Sequence, residues 1–194
     1  KHYAEAMLDN TGQEEITFSS LSSSDYQSLP ELTDCLIEKM DNNHVNISLP
    51  SLRIDAFSLD VMQKIQDIKK NSLTFAPEAG TQRLRNVINK GLTKENILNG
   101  SLQAFLGGWY KVKLYFMMGL PTETYDDITG IADLSEEISE LYFANIPKEK
   151  RDGRVMVSAS ASYFVPKPFT PFQWAPMITP EEFQKRAYFV KDKF

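Results

Sequence analysis

Cysteine is almost absent from these 194 residues: Cys35 is the only one. A lone thiol excludes an internal disulfide and fits a reducing compartment. It falls in the helical pattern Leu32-Thr33-Asp34-Cys35-Leu36-Ile37, where a free cysteine reads as a small buried side chain rather than a nucleophile or ligand. Histidine is nearly as scarce. His2 and His44 stand alone, with no partner at metal-ligand spacing, and read as exposed and uninvolved. Basic excess is missing as well, and a formal net charge of −5 argues against electrostatic capture of DNA or RNA by this segment. No apolar run approaches the roughly 18 residues of a membrane span. The start, Lys1-His2-Tyr3-Ala4-Glu5-Ala6-Met7-Leu8, lacks the basic flank and long apolar region of a signal peptide. These absences together lead us to expect a cytoplasmic protein. No Gly-rich dinucleotide fingerprint follows the first predicted strand, which counts against a Rossmann arrangement.

What is present is ordinary globular composition, 42% apolar and 24% charged, in a length suited to one sizeable core. Strand-like runs are predicted at 15–20, 45–50, 72–76, 112–118 and 155–164. Helical periodicity is predicted at 1–10, 30–41, 58–70, 83–89, 93–107, 124–143 and from 179 onward. Strand and helix alternate about five times, as right-handed crossovers between parallel strands require. No linker or low-complexity tract interrupts the alternation, so residues 1–194 are expected to form a single α/β domain. The chain opens in what reads as the last turns of a helix, as expected for a piece of a longer protein.

Two segments carry the chemistry. In Leu73-Thr74-Phe75-Ala76-Pro77-Glu78-Ala79-Gly80 and in Tyr115-Phe116-Met117-Met118-Gly119-Leu120-Pro121-Thr122-Glu123-Thr124, an apolar strand ends in Gly or Pro beside a carboxylate, and a helix follows. A strand that delivers a polar group at its carboxyl end is how (β/α) barrels build active sites. Pro77 and Gly80 set a tight turn that aims Glu78 across the mouth of the sheet. A helix-capping role for Glu78 fits its turn equally well. Gly119 would let a ligand approach the backbone, while Thr122 reads as the cap of the next helix; an ordinary turn explains that segment too.

The two segments resemble the radical S-adenosylmethionine (radical SAM) superfamily. Its strand-terminal "Glu or Gln, small, Gly" turn is matched by Glu78-Ala79-Gly80, and its following "Arg or Lys, Gly" by Lys90-Gly91. Its Gly-Leu/Phe-Pro-x-Glu-Thr block is matched by residues 119–124. The resemblance spans about residues 15–174 and is strongest over 73–127. The cobalamin-domain-linked radical SAM proteins called Fe–S oxidoreductases look most alike, with segments similar to Ser19-Ser20-Leu21-Ser22-Ser23-Ser24-Asp25-Tyr26 and to the proline-rich stretch 164–174. The RNA methylthiotransferases and oxygen-independent coproporphyrinogen oxidases resemble it more distantly. The resemblance implies a partial (β/α) barrel of the radical SAM type, with about five mostly parallel strands and outer helices.

It also implies a cofactor site. Ser19, Ser20, Leu21 and Ser22 take the place of a glycine-rich segment whose backbone carbonyls hold the SAM ammonium group. Arg53 would pair with the methionyl carboxylate, Glu78 would meet the ribose or methionyl end, and Lys90 would add positive charge near that carboxylate. The backbone around Met117, beside Gly119, would flank adenine. The stretch 164–174 reads either as a roof over a substrate or as structural cover for a sheet edge.

The departure from the family lies in the thiols. Its [4Fe–4S] cluster needs three cysteines, and this chain has one. No metal ligand is therefore expected here. The implied reading is the carboxyl-terminal, SAM-binding part of the barrel, catalytically inactive by itself. In the full-length oxidoreductase a [4Fe–4S] cluster would cleave SAM reductively to a 5′-deoxyadenosyl radical. Its implied partners are a one-electron reductant such as flavodoxin or ferredoxin and an unknown substrate, with cobalamin on a separate domain left open. A cluster-free binding module on the same scaffold is the alternative. A hydrolase or aldolase-type enzyme using Glu78 and Lys90 is a third reading, and it requires a buried Lys90.

Overall fold

The computed structural model describes residues 2–13, 15–17, 26–28, 31–32, 34–36, 46–48, 73–151 and 154–194. Its elements run in the order α1 (His2–Thr11), β1 (Glu15–Thr17), β2 (Asn46–Ser48), β3 (Leu73–Glu78), α2 (Gln82–Val87), α3 (Lys94–Leu106), β4 (Lys111–Met118), α4 (Tyr125–Asn145), a 3-10 turn (Lys148–Lys150), β5 (Met156–Tyr163) and α5 (Pro180–Lys191). The expected helix over 58–70 lies outside the described residues. β1 pairs with β2 in parallel, and β3, β4 and β5 form a parallel sheet in sequential order. The α/β alternation with parallel strands is as the sequence predicts.

β4 alternates strictly. Val112, Leu114, Phe116 and Met118 are buried, while Lys111, Lys113, Tyr115 and Met117 are exposed or half-buried. The buried row joins Leu73 and Phe75 of β3 and packs against Ile97, Ala104 and Phe105 of α3 and Ile131, Leu134 and Ile138 of α4. Phe105 meets Tyr142 edge-on at 5.2 Å. Burying this row is what holds the outer helices to the sheet.

The helix ends follow from short-range chemistry. Thr93 caps α3, its hydroxyl accepting the Asn96 N–H at 3.1 Å, while the Asn96 side chain accepts the Thr93 N–H at 3.1 Å. Thr179 caps α5 by accepting the Glu182 N–H at 3.2 Å, ahead of Pro180. The expected cap of α4 is corrected: Thr124, not Thr122, stands there. Asp127 reaches back to accept the Thr124 N–H at 2.8 Å, and Thr122 instead adopts φ 67° in the preceding turn. Cys35 is half-buried rather than buried.

After β5 the chain continues its ladder for one residue, Phe164 N–H donating to the Met118 carbonyl at 2.9 Å. Phe164, Phe172 and Ala175 then pack with Ala79, Leu84, Met117 and Leu120 at the carboxyl ends of the strands. The same segment sends Phe169 and Trp174 outward, 98% and 89% exposed. Among the described residues no helix is long and apolar enough to cross a membrane.

Candidate functional site

Two backbone devices bring Glu78 and Lys90 together. In the β3–β4 ladder Phe75 faces Leu114 and Glu78 faces Phe116, so Ala76 and Pro77 both stand opposite Tyr115. This is a β-bulge, the place where a strand tolerates a proline that has no N–H to donate. It re-aims the strand end and leaves Glu78 at φ 68°, a left-handed conformation that a non-glycine residue adopts only under constraint. Lys90 is fixed by the end of α2. Asn89 turns left-handed at φ 52°, its N–H donates to the Asn86 carbonyl, and the Lys90 N–H donates to the Arg85 carbonyl at 2.9 Å. That pair of bonds is a Schellman cap. The two side chains then meet with Lys90 Nζ 3.2 Å from Glu78 Oε1. They keep 32% and 26% exposure, so the pair is accessible from solvent.

A buried cation holds the turn between them. Arg85 is 1% exposed. Its guanidinium donates to the carbonyls of Ala79 at 2.9 Å, Gly80 at 3.2 Å and Leu92 at 3.2 Å, and to Gln82 Oε1 at 3.2 Å. Every one of these acceptors is neutral. Burial pulls its pKa below the usual guanidinium range, with the charge of Glu95 opposing. Because Leu92 lies two residues past Lys90, one side chain ties both halves of the pair's framework. The turn also abuts α4 directly. A Cβ on Gly80 would stand 2.5 Å from Ile131 N and 2.6 Å from Gly130 C. The glycine is required by backbone-on-backbone packing.

The second segment is tied down as firmly. Gly119 at φ 87° donates its N–H to Glu123 Oε2 at 2.9 Å, and Arg186 of α5 donates to the same oxygen at 2.5 Å. A Cβ on Gly119 would stand 2.8 Å from the side chain of Ile178. Asp127, 2% exposed, accepts from Thr81, Arg83 and Thr124. Burial opposes its ionised form, but the bonds from Arg83, Thr81 and Thr124 prevail and hold its pKa at about 2. Asp127 thereby joins the two turns that carry the sequence motifs. Of the four non-glycine residues with positive φ among the described ones, Glu78 and Thr122 lie on these turns and Asn89 immediately precedes Lys90. Backbone strain of this kind clusters at ligand sites.

The sequence model of the radical SAM superfamily matches residues 1–135. This chain belongs to that superfamily. A curated relative, Uncharacterized protein MJ0966 of Methanocaldococcus jannaschii, is 38% identical over 149 residues, covering 77% of this chain and 29% of that protein. Among solved structures, coproporphyrinogen III oxidase (HemN) from Escherichia coli, described as a radical SAM enzyme, aligns with a TM-score of 0.54 at 16% identity, over 84% of this chain and 37% of that one. At that identity the likeness is one of fold. The chain spans less than a third of MJ0966 and well under half of HemN.

Against the radical SAM expectations, the structure brings Glu78 and Lys90 into contact and sets Met117 and Gly119 at the carboxyl end of the neighbouring strand. Ser19, Ser20, Leu21, Ser22 and Arg53 lie outside the described residues, as does His44. The residues present suit part of a SAM site: an acid and a base at a strand mouth, beside an apolar wall of Met117, Leu120 and Phe164. They do not suit an iron–sulfur cluster. One cysteine cannot ligate it, and among the described residues no three His, Cys, Asp or Glu side chains converge. Sequence reasoning missed Arg85, Asp127 and the Glu123–Arg186 pair. For Asp127 a signal was available, since Thr124-x-x-Asp127 is a capping-box pattern.

Proposed function

We propose that residues 1–194 form the SAM-binding part of a radical SAM oxidoreductase whose cluster ligands lie outside these residues. The observation that carries the reading is the Glu78–Lys90 pair, 3.2 Å apart at the mouth of a parallel sheet. SAM's amino acid end is itself a zwitterion. An acid and a base held side by side offer its ammonium and carboxylate, or a ribose hydroxyl, complementary charge-assisted partners. Arg85 keeps their spacing, and the backbone around Met117 flanks the adenine. Ser19, Ser20, Leu21, Ser22 and Arg53 are assigned to the same cofactor by the sequence resemblance to the superfamily. In the full-length protein a [4Fe–4S] cluster, held by residues other than these, would supply the electron for the superfamily's reductive cleavage of SAM. Cobalamin on a separate domain and a flavodoxin or ferredoxin reductant belong to the same proposal.

The single cysteine favours a second reading, a cluster-free module that binds without catalysing. One experiment separates the two. The full-length protein, reconstituted anaerobically with iron and sulfide and reduced with dithionite, is expected to convert SAM to methionine and 5′-deoxyadenosine. SAM binding without cleavage would favour the module.

A further inference from the structure

All-parallel sheets are ordinarily buried on both faces and apolar throughout. This one is apolar only toward its helices. By register, Thr74, Lys113 and Ser158 form one row across β3, β4 and β5 on the opposite face, and Tyr115 stands beside Ser160. Met117 stands beside Ser162 nearer the mouth. These positions hold hydroxyls and a lysine but no carboxylate, in a chain with 26 acids against 21 bases. Lys113 Nζ rests 5.1 Å from the centroid of the Tyr115 ring, and among the described residues no carboxylate lies within ion-pair distance of it. Lys113 is half-buried rather than extended into bulk water. The hydroxyls of Thr74, Ser158 and Ser160 likewise have no protein partner among the described residues, whereas Ser162 donates to the Phe116 carbonyl at 3.5 Å.

We propose that this face binds an anionic oxygen group, a carboxylate or phosphate, of the molecule the protein acts on. Lys113 is the cation, and Thr74, Ser158 and Tyr115 are the hydroxyl donors. The assignment rests on the barrel reading above, in which this face lines the interior. Charge complementarity selects the occupant. An ammonium over an aromatic ring retains N–H donors directed away from the ring, and the hydroxyls of Thr74 and Ser158, one strand spacing of about 4.8 Å away on either side, add neutral donors to the same oxygens. Lys113 lies four residues below Met117, about 13 Å at the rise of a parallel strand. An anion held there therefore anchors the far end of an elongated substrate whose reacting end reaches the mouth.

The test uses the full-length protein and three fluorinated probes: 4-fluorobenzoate, 4-fluorophenyl phosphate and the neutral 4-fluorobenzamide. Binding is read by 19F line broadening, and SAM affinity is measured separately by equilibrium dialysis. At least one anion is expected to bind wild type with a dissociation constant of about 1–10 mM, as a ligand of about ten heavy atoms allows. Which anion binds identifies the group. Lys113→Met should weaken it about tenfold or more, Lys113→Arg should keep it within about threefold, and neither should change SAM affinity. Equal binding to wild type and Lys113→Met, equal binding of the amide, or no binding of any probe overturns the inference. Lys113-dependent anion binding in a protein that fails to bind SAM sustains it and overturns the SAM reading alone.

Discussion

Asp127→Asn preserves the shape of a buried side chain and removes its charge. In the folded protein this carboxyl titrates at about 2, against an ordinary value of 3.8. At about 1.4 kcal/mol per tenfold change in proton affinity, the difference corresponds to about 2 kcal/mol of stability. For a domain of this size that is a fall of about 4–8 °C in melting temperature. The sign with pH follows from the depressed value. The stabilisation is complete above the unfolded carboxyl's value of 3.8 and disappears as pH falls through about 2. Thermal melts at pH 7, followed by urea melts of wild type and variant from pH 5 to pH 2, should show the two proteins converging as acid is added. A gap of equal size at pH 2 and pH 7 would refute the electrostatic account, and the absence of any gap at pH 7 would refute the clamp.

Gly80→Ala should destabilise by about 1–3 kcal/mol through overpacking against α4; an unchanged melting temperature would mean that the turn can move away from the helix. Arg85→Met leaves the Ala79, Gly80 and Leu92 carbonyls without their donor, and should cost about 1–3 kcal/mol in denaturant melts and weaken SAM binding. Arg85→Lys should restore part of both, and a fully stable Arg85→Met would remove the clamp from the account. Trp174→Ser should leave stability within about 0.5 kcal/mol by the same melts; a larger loss would show that the ring is packed in solution.

Elements with strong periodicity were legible in the sequence. β4 and α4 alternate so regularly that burial decides them, and Thr93 and Thr179 are followed by acids or amides that mark a helix start. Glu78 and Lys90 were legible as a pair through their motif, although their contact depends on a bulge and a left-handed cap. Thr122 and Thr124 are equivalent as local capping signals; Asp127, three residues beyond Thr124, decides between them. Arg85 was illegible for a different reason. Its partners are main-chain carbonyls, which no residue letter records, and α2 is too short for its buried face to show as a period. Met117 was legible as apolar, but the cluster it packs against includes Phe164, which a return of the chain brings over the strand ends.

The most direct measurement is the affinity of the full-length protein for SAM, by equilibrium dialysis, in wild type, Glu78→Gln and Glu137→Gln. Glu137 pairs with Lys94 between two outer helices, so its variant controls for loss of an ion pair as such. Removing the charge at Glu78 takes away a charge-assisted hydrogen bond worth about 1.5–3 kcal/mol, which predicts a tenfold to hundredfold weakening of SAM binding. Glu137→Gln is predicted to bind like wild type. Equal SAM affinity in all three proteins, with the fold intact, would contradict the placement of the cofactor at the Glu78–Lys90 pair.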